Sequence, residues 1–212
     1  TYVGGESNNP TPTGFYTRKA VNPAEDAFAA YNGTTQWIEI RYAEVLLNLA
    51  EAANAIGRTD EAYEQIIALR KRAGIEPGPD GLYGLEPGMD RARMQDAIML
   101  ERKIELAFEA KRHWDLRRNM LFEKELNGKR RHGLRITLKV PAQQWNQVRD
   151  TVNLDVSYDQ YFAHEIIELD TQFSINWQPN YYFYAIPSSH LQLNSKLEQT
   201  MGWAGGTFDP LK

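Results

Sequence analysis

Three glutamates at four-residue spacing form the first pattern in this chain that could do chemistry. Glu101, Glu105 and Glu109 lie in the segment ERKIELAFEAKRHWDLRRNM, residues 101–120. On one helix their Cβ atoms would be about 5–6 Å apart, and catalytic carboxylate pairs stand roughly 5–9 Å apart. However, nearby cations lower carboxylate pKa values, which does not suit a general acid. Six basic residues surround the glutamates: Arg102, Lys103, Lys111, Arg112, Arg117 and Arg118. The sequence therefore predicts no catalytic residue here.

A metal site is the second interpretation of the same residues. Glu109 and His113 are four apart, and Glu105 could join them as a third ligand. A two-metal helical bundle would repeat a Glu-x-x-His motif on two helices, and the chain has no such motif. The absence of cysteine excludes disulfides, thiolate zinc sites and cysteine nucleophiles. We therefore predict neither a metal nor a cofactor.

An internal ion-pair network is the interpretation that the neighbouring residues favour. Leu106 and Phe108 flank the glutamates, so much of the helix is apolar and a fully solvated stripe of acids does not fit. The preceding segment offers Arg41, Arg70 and Arg72 as partners. We predict a structural network that fastens this helix to the elements before it. Its predicted members are Arg41, Glu44, Glu101, Arg102, Glu105, Glu109, Arg112, Asp115 and Arg117.

Helices must position these residues. Apolar or small residues recur with helical spacing over 37–74, and glycines at 57 and 74 mark two helix ends, which predicts a helical hairpin. Its small-residue seam is typical of a tetratricopeptide-type unit, although an unrelated hairpin fits the pattern as well. Asp90 is a good N-cap for one long helix over 90–119, with or without a kink.

Residues 128–212 are predicted to be rich in loops and aromatic side chains. Short strands are predicted at 133–141 and, before the hairpin, at 14–21. Ten of the forty residues from 145 to 184 are aromatic. Such rings either pack loops onto the helices or offer flat apolar faces to sugar rings. Trp145, Trp177, Tyr158 and Tyr161 lie among polar residues and are the predicted exposed, ligand-binding rings, whereas residues 181–184 are predicted to alternate between core and surface.

Charge and hydropathy exclude other classes of partner. The formal net charge is −4, so there is no basic field for nucleic acid, and the cluster GKRRHGLR at 128–135 is predicted to be a solvated turn. No apolar run approaches the roughly 18 residues that span a bilayer. The polar start, TYVGGESNNPTPTGF, has no initiator methionine and no signal-peptide pattern, which predicts a fragment or a processed chain.

Three segments together resemble the C-terminal half of the SusD/RagB family. They are IRYAEVLLNLAEAANAIGRTDEAYEQIIALRKRAGI, DAIMLERKIELAFEAKRHWDLRR and YYFYAIPSSHLQLNSKLEQTMGW, and GFYTRKAV is similar to a further family segment, with Lys19 in the matching place. The chain departs from the family pattern at His190, where glutamate is usual, and at residues 200–203, where Asn-Pro-Gly-aromatic is usual. The resemblance implies a mainly α fold, with a tetratricopeptide-like hairpin, a long helix and a loop-rich aromatic region, in which 1–212 is the C-terminal part of a larger domain.

The resemblance also implies a function. Members of this family are non-enzymatic surface lipoproteins of Bacteroidetes-type bacteria, which bind glycans or other nutrients and deliver them to a SusC-type TonB-dependent transporter. The chain is thus expected to bind an oligosaccharide or other nutrient at the outer membrane, and to meet the membrane only through an N-terminal lipid anchor outside this sequence. Two alternatives remain at this point, a tetratricopeptide-type adaptor that binds protein and a helical glycoside hydrolase.

Overall fold

The computed structural model of the chain describes residues 2–3, 11–22, 24–25 and 33–212. These residues form two compact units. The helical unit comprises residues 18–119, and the C-terminal unit comprises residues 120–212 together with residues 1–17. Residues 14–21 are described throughout and contain no strand, so the strand expected there is wrong.

The helical hairpin is present as expected. Helices α1, Tyr42–Ala55, and α2, Thr59–Arg72, are joined by three residues and therefore run antiparallel. Gly57, in the link, has φ +83°, a left-handed conformation in which a β-carbon would be strained. Ala50 and Ala62 are fully buried, so small side chains let the two helices approach closely.

The long helix expected over 90–119 is wrong, because it is broken into two. Helix α3, Arg91–Glu105, begins where Asp90 accepts a hydrogen bond from the backbone N–H of Arg93, and α4 spans Arg112–Arg118. Between them, Phe108 and Ala110 have φ of +63° and +59°. Left-handed backbone costs a non-glycine residue roughly 1–2 kcal/mol, so contacts elsewhere must stabilise this turn.

The core of the helical unit lies between α1, α2 and α3. Its buried apolar side chains fall into two clusters: Ala50, Ala62, Ile66, Leu85, Met89, Met94 and Ile98, and then Ala43, Leu47, Leu69 and Leu106. The only charged residues of α1 are Glu44 and Glu51. A second row of apolar side chains on α1 remains exposed, at Tyr42, Val45 and Leu49, and Ile56, the C-cap residue, is exposed as well.

An antiparallel β-hairpin forms one part of the C-terminal unit. Strand β1, His132–Leu138, confirms the strand expected at 133–141 and pairs with β2, Phe162–Glu168, which the sequence did not predict. In the register His132 faces Glu168 and Leu138 faces Phe162. Helix α5, Phe122–Leu126, precedes β1, while α6, Ala142–Val148, and α7, Leu154–Tyr161, connect the strands.

Side-chain amides hold the loop-rich remainder in place. This part contains a 3₁₀ turn at Pro179–Tyr182, helix α8 at Ser188–Leu193, and the short parallel strands β3, Gln199–Thr200, and β4, Gly206–Phe208. Asn127 accepts the N–H of Trp177 at 2.6 Å and donates to its carbonyl at 2.9 Å. Gln199 makes the same two-point contact with Ile186, at 2.8 and 2.9 Å. These amides pair with backbone as a neighbouring strand would, so the backbone N–H and C=O groups of Trp177 and Ile186 are satisfied without a regular ladder.

Across the described ranges, no helix combines the length and the apolar character needed to cross a membrane.

Candidate functional site

Two basic side chains fix the turn that follows α3. Arg41, at the N-cap of α1, donates from Nη1 to Glu105 Oε1 at 2.5 Å, from Nη2 to the Glu105 carbonyl at 2.6 Å, and from Nε to Glu109 Oε2 at 2.7 Å. Lys19 donates to the carbonyls of Glu105 and Ala107, both at 2.9 Å, and pairs with Glu109. Cations at a helix C-terminus satisfy its unpaired carbonyls and favour its dipole. These contacts offset the strain of the left-handed residues.

Its basic neighbours hold Glu109 in the charged form at neutral pH. Burial alone would raise the pKa of Glu109, but hydrogen bonds from Arg41 and then Lys19 outweigh it and hold the pKa below its usual value of 4.5. The hydrogen bond to Glu109 likewise raises the pKa of Arg41. A carboxyl group held in this way does not supply a proton near neutral pH.

The other glutamates of the motif are also engaged by arginine. Arg70 Nε lies 2.9 Å from Glu101 Oε2, and Arg72 Nη2 lies 2.5 Å from Glu105 Oε1. Glu109 lies beyond the end of α3, so the expected stacking of all three carboxylates on one helix face is wrong. They are brought together by shared basic partners instead.

A buried ion pair joins α3 to α4. Arg102 Nε lies 2.9 Å from Asp115 Oδ2, and both side chains are almost fully buried. Arg102 also donates to Asn48 at 2.7 Å, and Arg118 donates to the second oxygen of Asp115 at 2.8 Å. Arg112 and Arg117, two further expected members, lie on α4 beside Asp115 in sequence.

Sequence reasoning missed some of the partners in this network. Lys111 pairs with Glu44 at 3.1 Å, and Arg118 donates to Glu51 at 2.6 Å. The two acids are seven residues apart, and so are the two bases. That matched spacing was a signal, because residues seven apart share a helix face.

The basic cluster at 128–135 is neutralised within the β-hairpin region. Arg130, Arg131 and Arg135 pair with acids of β2 and the segment after it, at distances of 2.5–3.4 Å. Those acids are Glu168, Asp170 and Glu165, respectively. The paired charges leave no uncompensated basic stripe of the kind that nucleic acid requires.

Two of the four rings expected to bind ligand are core residues. Trp145 and Tyr161 are 8% and 9% exposed and pack with Phe162, so the expectation that they are exposed is wrong. Tyr158 is half-buried, with its ring 5.5 Å from that of Phe162. Trp177 is half-buried and stacks on Phe122 at 4.0 Å between ring centroids.

A different set of rings forms a continuous, partly exposed group, here called the aromatic patch: Trp177, Tyr181 and Trp203. The Trp177 and Tyr181 rings meet edge to face at 5.7 Å, and Tyr181 lies 6.0 Å from Trp203. Tyr181 is 40% exposed. The indole N–H of Trp203 donates to the Phe183 carbonyl at 2.8 Å, which fixes the orientation of its ring. Sequence reasoning selected only Trp177 of these three, because the segment around Trp203 is distant in sequence.

Gly202 allows Trp203 to reach Tyr181. Its φ is +90°, and a β-carbon there would lie 2.7 Å from Cβ of Asn180, which directly precedes Tyr181. Any other residue at 202 would push the two segments apart. The aromatic patch therefore depends on this one glycine.

Metal ligation is not indicated by the geometry. Among residues 2–3, 11–22, 24–25 and 33–212, no group of three or more histidine or carboxylate side chains is arranged to hold an ion. Glu105 and Glu109, the acids considered as ligands, are held by Arg41.

Comparison with known proteins identifies a family. The model of the SusD family matches residues 1–203. SusD-like protein P2 of Formosa agariphila is 42% identical over 86 residues, which is 40% of this chain and 17% of that protein. SusD-like protein P38 of the same organism is 36% identical over 86 residues, or 39% of this chain and 16% of that protein. A crystal structure of a SusD-like protein from Bacteroides fragilis superposes with a TM-score of 0.55 and 25% identity, covering 80% of this chain and 26% of that one. The matches thus span about a sixth of the curated relatives and a quarter of the solved one.

Proposed function

Because the chain belongs to the SusD family, whose members are generally carbohydrate- or nutrient-binding surface proteins, we propose that it binds a glycan at the aromatic patch without making or breaking a bond. The observation that carries the proposal is the contiguity of three rings, two of them held by hydrogen bonds or packing and one 40% exposed. The C–H faces of sugar rings are apolar, and fixed aromatic faces bury them at a low cost in conformational entropy.

The carboxylates support a binding role over hydrolysis. A glycosidase needs one carboxyl with a raised pKa facing a second across the substrate. Among the three glutamates at four-residue spacing, Glu109 has its pKa lowered by Arg41 and Lys19, and Glu101 forms an ion pair with Arg70. These carboxylates form ion pairs that connect the helices.

The proposed role of the whole protein rests on family membership. We propose that the longer protein, of which residues 1–212 form the C-terminal part, is a lipid-anchored protein of the outer-membrane surface. It would pass its ligand to a SusC-type TonB-dependent transporter. Family membership supports this proposal. Co-purification of such a transporter from native membranes with the tagged full-length protein tests it, and recovery of the protein alone would contradict it.

A glycan panel screened against the full-length protein tests the binding proposal. Tyr181→Ala and Trp203→Ala should each weaken binding by about fivefold or more, if a sugar ring gains as much from an aromatic face as a nucleobase does, about 1–3 kcal/mol. Trp203→Phe, which keeps an aromatic face, should retain most of the affinity.

Matched controls come from the helical unit. Tyr42 and Trp37 are 73% and 61% exposed, so Tyr42→Ala and Trp37→Ala remove similar rings and should leave the affinity unchanged. Binding that is indifferent to both patch variants would refute the site, and a full-length protein that binds no glycan would refute the function.

A further inference from the structure

We infer that the glycan bound at the aromatic patch is built from uncharged sugars; this inference rests on the proposed function and adds the chemical class of the ligand. Its basis is the distribution of charge along the segment that carries two of the three rings.

Residues 171–195 contain no Asp, Glu, Lys or Arg, although these four types make up 25% of the chain. About six would be expected in a segment of that length at the chain average. The segment is not a buried strand in which charges are excluded, because most of its residues are exposed or half-buried. Residues 171–195 therefore form a surface that carries no Asp, Glu, Lys or Arg side chain.

Side-chain amides take the place of the missing charges. Six lie in the segment, and all are exposed or half-buried: Gln172, Asn176, Gln178, Asn180, Gln192 and Asn194. An amide both donates and accepts hydrogen bonds, which matches a sugar hydroxyl, itself a donor and an acceptor. Gln178 and Asn180 flank the turn that carries Tyr181, and Gln178 Nε2 is held 2.8 Å from Asn176 Oδ1.

The charged residues of the C-terminal unit lie outside 171–195 in the sequence, and several of them are paired. Two contact the segment through polar groups: Arg130 donates to the Phe173 carbonyl, and Glu123 accepts from the Tyr182 hydroxyl. The unit's arginines at 130, 131 and 135 are bound to acids of the β-hairpin region. Within the described ranges, no ion pair found in this unit involves a residue from 171 to 195. A uronic acid or a sulfated sugar is typically held by Arg or Lys. An anion placed among rings and amides would lose hydration without gaining a counter-charge.

Matched probes that differ only in charge test the inference. Neutral oligosaccharides, namely α-1,4- and β-1,4-glucans, mannan and galactan, are compared with the same chains oxidised at C6 to uronates, using titration calorimetry and the full-length protein. A neutral probe should bind, with an affinity that changes less than about twofold between 50 and 500 mM NaCl, because no ion pair is formed. Its oxidised counterpart should bind at least about tenfold more weakly.

Substitutions at Gln178 test the same idea from the protein side. Gln178→Lys should strengthen binding of the oxidised probe severalfold relative to the neutral probe measured on the same variant, and Gln178→Glu should weaken it further, so that loss of the amide itself cancels in the comparison. Circular dichroism confirms that each variant is folded.

The outcomes separate this inference from the proposed function. An oxidised probe that binds more tightly than its neutral form, in a salt-dependent way and with loss on Tyr181→Ala, would overturn the inference and leave glycan binding intact. Absence of binding by every probe of either charge would refute the proposed function itself. An affinity for the oxidised probe that is the same in Gln178→Lys and Gln178→Glu would also overturn the role of charge.

Discussion

Asp115→Asn tests whether the buried ion pair between α3 and α4 stabilises the fold, because it removes one charge at nearly constant volume. Asp115 is 2% exposed and Arg102 is 5% exposed. The carboxylate accepts from Arg102 Nε at 2.9 Å and from Arg118 at 2.8 and 3.2 Å. Asparagine has one oxygen, so one arginine N–H must then face an amide N–H.

The magnitude follows from these contacts. A hydrogen bond to a charged group contributes about 1.5–3 kcal/mol, and a buried charge that loses its partner brings the total to about 3–5 kcal/mol. For a chain of this size, each kcal/mol lowers Tm by about 2–4 °C. Asp115→Asn should therefore reduce Tm by roughly 6–20 °C.

Urea unfolding followed by circular dichroism at 222 nm measures the loss, since that signal comes mainly from helices. Glu86→Gln is the matched control: Glu86 pairs with Arg93, and both side chains are more than half exposed, so its loss should stay below about 1 kcal/mol. An Asp115→Asn variant that loses no more than Glu86→Gln would refute the assignment of this pair as a structural lock.

Three further predictions concern other parts of the chain. Because the pKa of Glu109 is lowered from its ordinary value of 4.5, its contribution to stability is complete above that value and is lost as the pH falls through the lower folded pKa. Glu109→Gln should therefore flatten the fall in the free energy of unfolding between about pH 5 and 2. An unchanged pH profile would contradict the prediction. Gly202→Ala should weaken glycan binding by displacing Trp203, whereas Gly205→Ala, where φ is also left-handed at +73° but nothing lies within 4 Å of the new β-carbon, should affect stability only; equal calorimetric affinities for the two variants would be the adverse result. Tyr182→Phe removes the acceptor of a buried backbone N–H at 2.8 Å and should cost about 1–3 kcal/mol in thermal unfolding, with a loss near zero counting against this interpretation.

The helical hairpin was predictable from sequence because its information is local. Apolar spacing, Gly57 and the Asp90 cap each act within one or two turns, and the structure confirms all three. β1 was found for the same reason, from alternating residues next to a turn. Its partner β2 was missed because FAHEIIE lacks regular alternation, and most of its side chains are exposed.

The break after Glu105 could not be predicted from local sequence. Residues 101–119 contain neither glycine nor proline, and their helix propensities predict one continuous helix. The chain turns because Arg41 and Lys19, more than sixty residues earlier, bind the carbonyls and carboxylates that a continuous helix would arrange differently. Tertiary contacts here override propensity.

Aromatic exposure was misjudged for a related reason. Trp145 and Tyr161 have polar sequence neighbours, but on the short helices α6 and α7 those neighbours face away while the rings pack with Phe162. The aromatic patch joins residues 177, 181 and 203 through the conformation of Gly202. Sequence composition identified where the aromatic residues are concentrated, and only three-dimensional packing separated core rings from surface rings.

The hydrogen bonds between Asn127 and Trp177 also bear on the chemical stability of Asn127 towards deamidation. Asn127 is followed by Gly128, and an asparagine before glycine is the residue most prone to cyclise onto the next backbone nitrogen and lose ammonia; such asparagines are thermolabile. In the folded chain both ends of the amide are engaged with Trp177, which withholds it from that reaction. After deamidation, a carboxylate oxygen would face the Trp177 carbonyl where an N–H had donated, so only the bond from the Trp177 N–H could re-form. Deamidation of Asn127 is therefore expected to weaken the attachment of Trp177, and mass spectrometry of aged samples would measure how far it has proceeded.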